Sequence, residues 1–381
     1  MKKSISIFII LILLLSLSCH VFSAEFVSST GSKSLLLMEA SSGKILYEKN
    51  AHQSLPPASV TKIMTMLLVC EAIECKEITL DTKITASERA KSMGGSTIFL
   101  ETNEVMTLDD LLKGIAVASA NDACVAVAEH LSGSVETFVQ KMNTRAKELG
   151  MKETNFVNCN GLDAENHHSS AYDIAIMSRE LLKHELIEKY TTIWMDSLRE
   201  GKFQLANTNK LIRFYSGANG LKTGSTSQAG CCISATAKRD GMQLIAVVMG
   251  ADNSKERFKA ASEMLDFGFN NYAVTNFGEK GTEVCKVSVL YGKSKHLTAI
   301  TQSDTSVVID KQQKEEIKTH INITDPIKAP VNKGEVIGEV ILTLNGETLA
   351  KSNLIADRNI KKMESTDYFI NMIKGLVGAN I

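Results

Sequence analysis

Two strand-turn-strand patterns bracket a long helical stretch, and this arrangement constrains the fold more than any other feature of the chain. Leu35–Met38 and Ile45–Tyr47 flank Ser41-Ser42-Gly43, a turn between apolar runs. Much later, Cys232–Lys238 and Met242–Met249 flank Arg239-Asp240-Gly241, and Asp-Gly between apolar runs is a strong hairpin signal. Between the two pairs, helical patterns occur at Ile63–Cys70, Leu108–Val117, Ala123–Leu131, Val135–Leu149 and Ala171–Leu182, and a closing helix covers about Lys255–Phe267. Strands at both ends with helices between them predict one antiparallel sheet, assembled from distant pieces and packed with helices: an α/β (α+β) domain.

The pattern changes after Tyr272. Val284, Lys286, Val287, Val289 and Tyr291 follow strand-like alternation, and further strand-like runs occur at 305–310, 319–323, 336–344 and 348–355. Short strands separated by turns predict a small all-β sandwich. With 381 residues, more than one domain is expected. The expected order is a signal peptide (1–24), a catalytic domain (25–272), a β-sandwich (273–362) and an amphipathic helix (363–381).

Lys2 and Lys3 precede the apolar run Ile5–Leu17, and Ser18, Ser23 and Ala24 follow it. This reads as an export signal too short to span a membrane comfortably. At the other end, Ser365–Val377 carries Phe369, Ile370, Met372, Ile373, Leu376 and Val377 on a wide apolar stripe, near Lys361, Lys362 and Lys374. Such a helix suits a membrane interface or docking on its own domain. A net charge of −1 gives no field for nucleic acid. Seven cysteines remain beyond Cys19, without a C-x-x-C pair, so neither zinc nor a redox pair is indicated. His167-His168 lie in a polar loop and read as solvated.

Three short motifs carry chemistry: Ser59-Val60-Thr61-Lys62, Ser119-Ala120-Asn121 and Lys222-Thr223-Gly224. Ser59 and Lys62 share a face of the first turn of a nearly apolar helix that follows Pro56-Pro57. A serine becomes a nucleophile when a base takes its proton, and burial lets a lysine be that base. Ser119 is placed to relay a proton to the leaving group, and Asn121 to donate its amide to the substrate backbone. Lys222 offers charge for a terminal carboxylate, with Thr223 and Ser225 as hydroxyl donors and Gly224 allowing close approach. The N–H groups of Ser59 and Ser225 suit an oxyanion hole. By contrast, Ser41-Ser42-Gly43-Lys44 also fits S-x-x-K, but reads as a hairpin turn.

In this order the motifs resemble those of the D-alanyl-D-alanine carboxypeptidases, the low-molecular-weight penicillin-binding proteins. Gly94-Gly95-Ser96, Asn158 with Gly161-Leu162, Ala171-Tyr172-Asp173 and Asn207-Thr208-Asn209-Lys210 extend the likeness, which is greatest to the sporulation-associated type. The resemblance implies a transpeptidase domain of the penicillin-binding-protein/β-lactamase type, a C-terminal β domain, and anchoring of an exported enzyme at the outer face of the cytoplasmic membrane. The implied substrate is the peptidoglycan pentapeptide stem, with β-lactams as covalent inhibitors at Ser59 and no metal or organic cofactor needed. Ala120 departs from the glycine common in relatives. Two rival readings are a class A-like β-lactamase and a non-catalytic β-lactam sensor.

Overall fold

The computed structural model describes residues 26–303 and 305–376. The expected export signal lies outside the described residues. Strands β1 (Ser34–Glu39) and β2 (Ile45–Lys49) form the first hairpin. Ser41 and Ser42 close its turn by donating to the Glu39 carboxylate (Ser42 Oγ–Oε2 2.6 Å), so this S-x-x-K match is indeed a hairpin turn. Strands β3 (Ala218–Thr226), β4 (Gly230–Arg239) and β5 (Met242–Ala251) complete an antiparallel sheet of order β2-β1-β5-β4-β3. The early hairpin joins the late one through β1 and β5, with Leu37 opposite Ala246.

Both faces of this sheet are covered, which explains why β5 reads as an unbroken apolar run. Leu36, Met38, Ile245 and Val247 face the helical lobe. Leu35, Leu37, Leu244 and Val248 face the closing helix, Ser254–Asn271. Each such side chain, buried completely, contributes about 2 kcal/mol. The lobe is built around α1 (Lys62–Glu74), α2 (Asn121–Ser132), α3 (Val135–Glu148) and α4 (Ala171–Leu181). Helix α1 is buried on nearly every side, as its composition requires.

Two small hairpins escaped the sequence reading: Lys83–Thr85 with Val105–Thr107, and Met195–Leu198 with Phe203–Ala206. Their strands are too short for the period-two pattern to register. The Lys222 motif also lies within β3, rather than leading into a strand. Because β3 is the sheet's edge, it leaves one side open to an extended ligand.

Beyond Tyr272, a six-stranded sheet and the pair Tyr272–Gly278 and Thr305–Asp310 form a β domain. The two sheets meet through Val307, Ile309 and Leu342. A last helix covers Ser365–Leu376. No helix among the described residues is long and apolar enough to cross a membrane.

Candidate active site

Ser59 sits in a tight turn, Ala58–Thr61, that feeds α1. Ala58 is left-handed, with φ 49°, a conformation costly for a residue with a Cβ. Two chains close on the turn and hold it. A Cβ on Gly161 would lie 1.9 Å from the Ala58 carbonyl oxygen, and one on Gly224 would lie 2.7 Å from the Ser59 nitrogen. Glycine at these two positions is therefore a condition of the geometry. The second contact also brings the Lys222 strand against the start of the Ser59 helix, which the sequence reading requires.

Lys62 is fully buried, and its Nζ lies within hydrogen-bond distance of three oxygens: Ser59 Oγ (2.8 Å), Asn121 Oδ1 (2.7 Å) and the Asn160 carbonyl (2.6 Å). Burial holds its ammonium below the usual lysine range, outweighing the nearby Cys124, Cys159 and Asp122 that favour the charge. A neutral amine has two N–H groups and one lone pair. The Asn160 carbonyl can only accept. Asn121 donates through Nδ2 to the Gly94 carbonyl (2.7 Å), which leaves Oδ1 to accept from Lys62. Two obligate acceptors thus take both N–H groups and turn the lone pair toward Ser59.

The expected helix Leu108–Val117 is α-helical over Leu108–Lys113 and then widens into a π-type turn, Gly114–Ala118, a form often found at functional sites. It ends on Ser119, which is left-handed (φ 65°, ψ 33°) and 4 % exposed. The Ser119 hydroxyl makes no hydrogen bond to Lys62, whose partners are Ser59, Asn121 and Asn160. Asn121 thus orients the base through Oδ1, and the second N–H of its Nδ2 has no partner among the described residues. Asp122 anchors the facing loop by accepting from the N–H groups of Ile98 (3.1 Å) and Leu100 (3.0 Å).

Lys222 is 1 % exposed and donates to the Thr223 carbonyl (3.0 Å). Burial holds it far below the usual range, and Lys62 adds to the shift. The closing helix places Arg257 against the same strand, where it donates to the Gly224 carbonyl (3.1 Å) and to Ser254 Oγ (3.0 Å). Neither side chain has a carboxylate partner among the described residues. Thr223 donates its hydroxyl to Thr208 (2.7 Å), and Asn209 donates to the Gly220 carbonyl (2.8 Å), so the Asn207–Lys210 segment braces the edge strand. Ser225 stays exposed at the rim.

Sequence reasoning missed Asn160 as a partner of the base, because its contribution is a main-chain carbonyl with no side-chain signal. It also misread His167. That ring is buried, its Nδ1 accepting from the Val157 N–H (2.9 Å) and its Nε2 bonded to Thr61 Oγ1 (2.9 Å). It links Thr61, in the turn carrying Ser59, to the backbone of Val157. Burial lowers its pKa from 6.5 to about 4. The unfolded chain therefore binds the extra proton between those values, so the stabilising effect is complete above pH 6.5 and lost as pH falls toward 4. The loss is roughly 3 kcal/mol. His167→Gln should flatten this part of the Tm-against-pH curve, and an unchanged acid slope would refute the assignment.

A profile described as D-alanyl-D-alanine carboxypeptidase matches residues 22–253, and one described as the C-terminal domain of penicillin-binding protein 5 matches 272–362. The chain is 45% identical over 387 aligned residues to the D-alanyl-D-alanine carboxypeptidase DacF of Bacillus subtilis, covering 99% of this chain and 98% of that one. It is 34% identical to DacC of Escherichia coli, with 88% and 85% covered. Crystal structures of penicillin binding protein 5 from Haemophilus influenzae superpose with a TM-score of 0.76 at 33% identity, covering 88% of this chain and 99% of that one.

Proposed function

We propose a mechanism from the premise that this chain belongs to the D-alanyl-D-alanine carboxypeptidase family. The enzyme removes the terminal D-alanine from the pentapeptide stem of peptidoglycan. Ser59 Oγ attacks the carbonyl between the two D-alanines, and its proton passes to the Lys62 lone pair. The N–H groups of Ser59 and Ser225 hold the developing oxyanion. Ser119 relays the proton from Lys62 to the departing amine, and D-alanine leaves. Water then hydrolyses the ester. Lys222, with Thr223 and Arg257, takes the substrate's terminal carboxylate, while Gly224 lets the peptide lie along the edge of β3. A β-lactam acylates Ser59 by the same attack, with ring opening in place of amine release.

The reading is carried by the 2.8 Å contact between Lys62 Nζ and Ser59 Oγ, with the base's remaining hydrogens committed elsewhere. The deciding experiment compares D-alanine release from diacetyl-L-Lys-D-Ala-D-Ala with turnover of a chromogenic cephalosporin. Release with little cephalosporin turnover supports the carboxypeptidase. Fast cephalosporin turnover favours the β-lactamase reading, and covalent labelling without either favours a sensor. The β-lactamase reading also lacks a carboxylate on Ser59 or Lys62 among the described residues.

Acylation needs Lys62 neutral, and burial lowers it from 10.5, so the acid limb of kcat/KM follows protonation of Lys62. Burial lowers Lys222 further, whereas Lys222→Arg keeps its charge at any working pH, so the pH dependence of KM should weaken in that variant. An unchanged KM profile would remove Lys222 from the carboxylate clamp.

We place the catalytic unit at 25–272 and the β unit at 273–362, in an exported enzyme at the outer face of the membrane. The helix from Ser365 lies in the interface, with Phe369 (60 %) and Ile370 (51 %) exposed. The role extends to wall maturation, including the spore cortex, on the strength of the resemblance to the sporulation-associated type.

A further inference from the structure

The β domain exposes two adjacent large apolar side chains beside the start of the C-terminal helix. The strand Glu283–Leu290 ends in a turn leading to His296–Thr301. Leu290 is 44 % exposed and Tyr291 is 52 % exposed. Tyr291 is also left-handed, with φ 60°, a conformation that disfavours bulky side chains. A strained backbone presenting an aromatic ring to water is a feature that functional surfaces carry.

The turn is fastened to the start of the C-terminal helix. The Met363 N–H donates to the Tyr291 carbonyl (2.8 Å), and the Lys293 N–H to the Lys361 carbonyl (2.9 Å). Gly292 bridges to Lys362. Lys293 Nζ pairs with Asp367 Oδ2 at 3.0 Å, on the first turn of the helix. Leu290 and Tyr291 are thereby held beside the segment that exposes Tyr368, Phe369 and Ile370. Around them stand the exposed lysines Lys293, Lys295, Lys361 and Lys362, against the acids Glu364 and Asp367.

We propose that the 290–295 turn is a second lipid-contacting element, which binds an anionic bilayer together with the helix. Aromatic and aliphatic side chains rimmed by lysine are what a headgroup interface takes up. Protein interfaces are depleted in lysine, so the composition favours lipid over a partner protein. The proposal rests on the reading of the helix as interfacial. It adds that the β domain itself touches the membrane, which fixes how the catalytic unit is presented above it.

The test uses the full chain with vesicles of phosphatidylglycerol and, separately, of phosphatidylcholine. Leu290→Gln with Tyr291→Asn removes the apolar contact, and asparagine suits the left-handed backbone. This variant should lose about tenfold in partitioning onto phosphatidylglycerol, or ~1.4 kcal/mol, while D-alanine release in solution is unchanged. A chain ending at Glu364 should lose more. Unchanged partitioning of the turn variant, with loss in the shortened chain, overturns the turn proposal and leaves the helix reading standing. Unchanged partitioning in both overturns the helix reading and the turn proposal together. A separate Tyr291→Trp variant should be quenched by vesicles with brominated acyl chains, beyond any quenching of the native Trp194. Absence of that extra quenching also overturns the proposal.

Discussion

Ser59→Ala leaves no covalent adduct with labelled penicillin and lowers D-alanine release by about 10⁴-fold or more. Both losses are expected because no other hydroxyl sits on Lys62: its remaining partners are the Asn121 amide oxygen and the Asn160 carbonyl. The Ser119 hydroxyl makes no hydrogen bond to Lys62 at rest, so it is not activated as a second nucleophile. The variant should fold normally, since alanine fits a half-buried turn position, and its Tm should match or exceed that of the parent. Freed of its hydroxyl partner, Lys62 remains a buried amine with two acceptors. Persistent labelling of Ser59→Ala, located by peptide mapping at another residue, would place the nucleophile elsewhere.

Gly161→Ala should have the second-largest effect, and by a different route. The new Cβ would sit 1.9 Å from the Ala58 carbonyl oxygen, on a residue whose φ is +87°. Neither the clash nor the torsion can be relieved by rotating a side chain. Either the 158–162 loop withdraws, taking the Asn160 carbonyl away from Lys62, or the Ser59 turn moves off the edge strand. The expected cost is about 3 kcal/mol or more, a fall in Tm of about 10 °C for a domain of this size. The protein that remains folded should acylate at least about 100-fold more slowly, as misplacement of reacting groups by an ångström does. A Gly161→Ala enzyme with parental Tm and acylation rate would show that the close approach has no bearing on the site.

Much of this site could be read before any coordinates. Hydroxyl, amine and clamp are side-chain chemistry, and Ser59, Lys62, Asn121 and Lys222 announce themselves by spacing and order. The joining of β1 to β5 was equally legible, because apolar runs with turn residues at both ends of a helical stretch leave few other ways to bury a sheet. What stayed hidden is carried by the backbone or by position. The carbonyl of Asn160, the left-handed Ala58 and the π-type turn before Ser119 depend on torsions set by distant packing. Arg257 was visible as a cation, but only the closing helix shows that it lies against Gly224. His167 looked like a loop residue because its partners, Thr61 and Val157, are not neighbours in sequence. The short hairpins at 83–107 and 195–206 fell below the length at which alternation carries information.

The pairing of Leu37 with Ala246 also bears on when the molecule becomes competent. The first strand leaves the ribosome long before the partner it needs, and so distant a contact forms late. The nucleophile is made early, yet the wall of the crevice opposite it, Lys222 to Ser225, arrives only with the last strands of the same sheet. A nascent chain shorter than Ala251 therefore has a serine and its base but no place for a substrate to lie. Substrate binding waits on the pairing of the sheet's two distant ends.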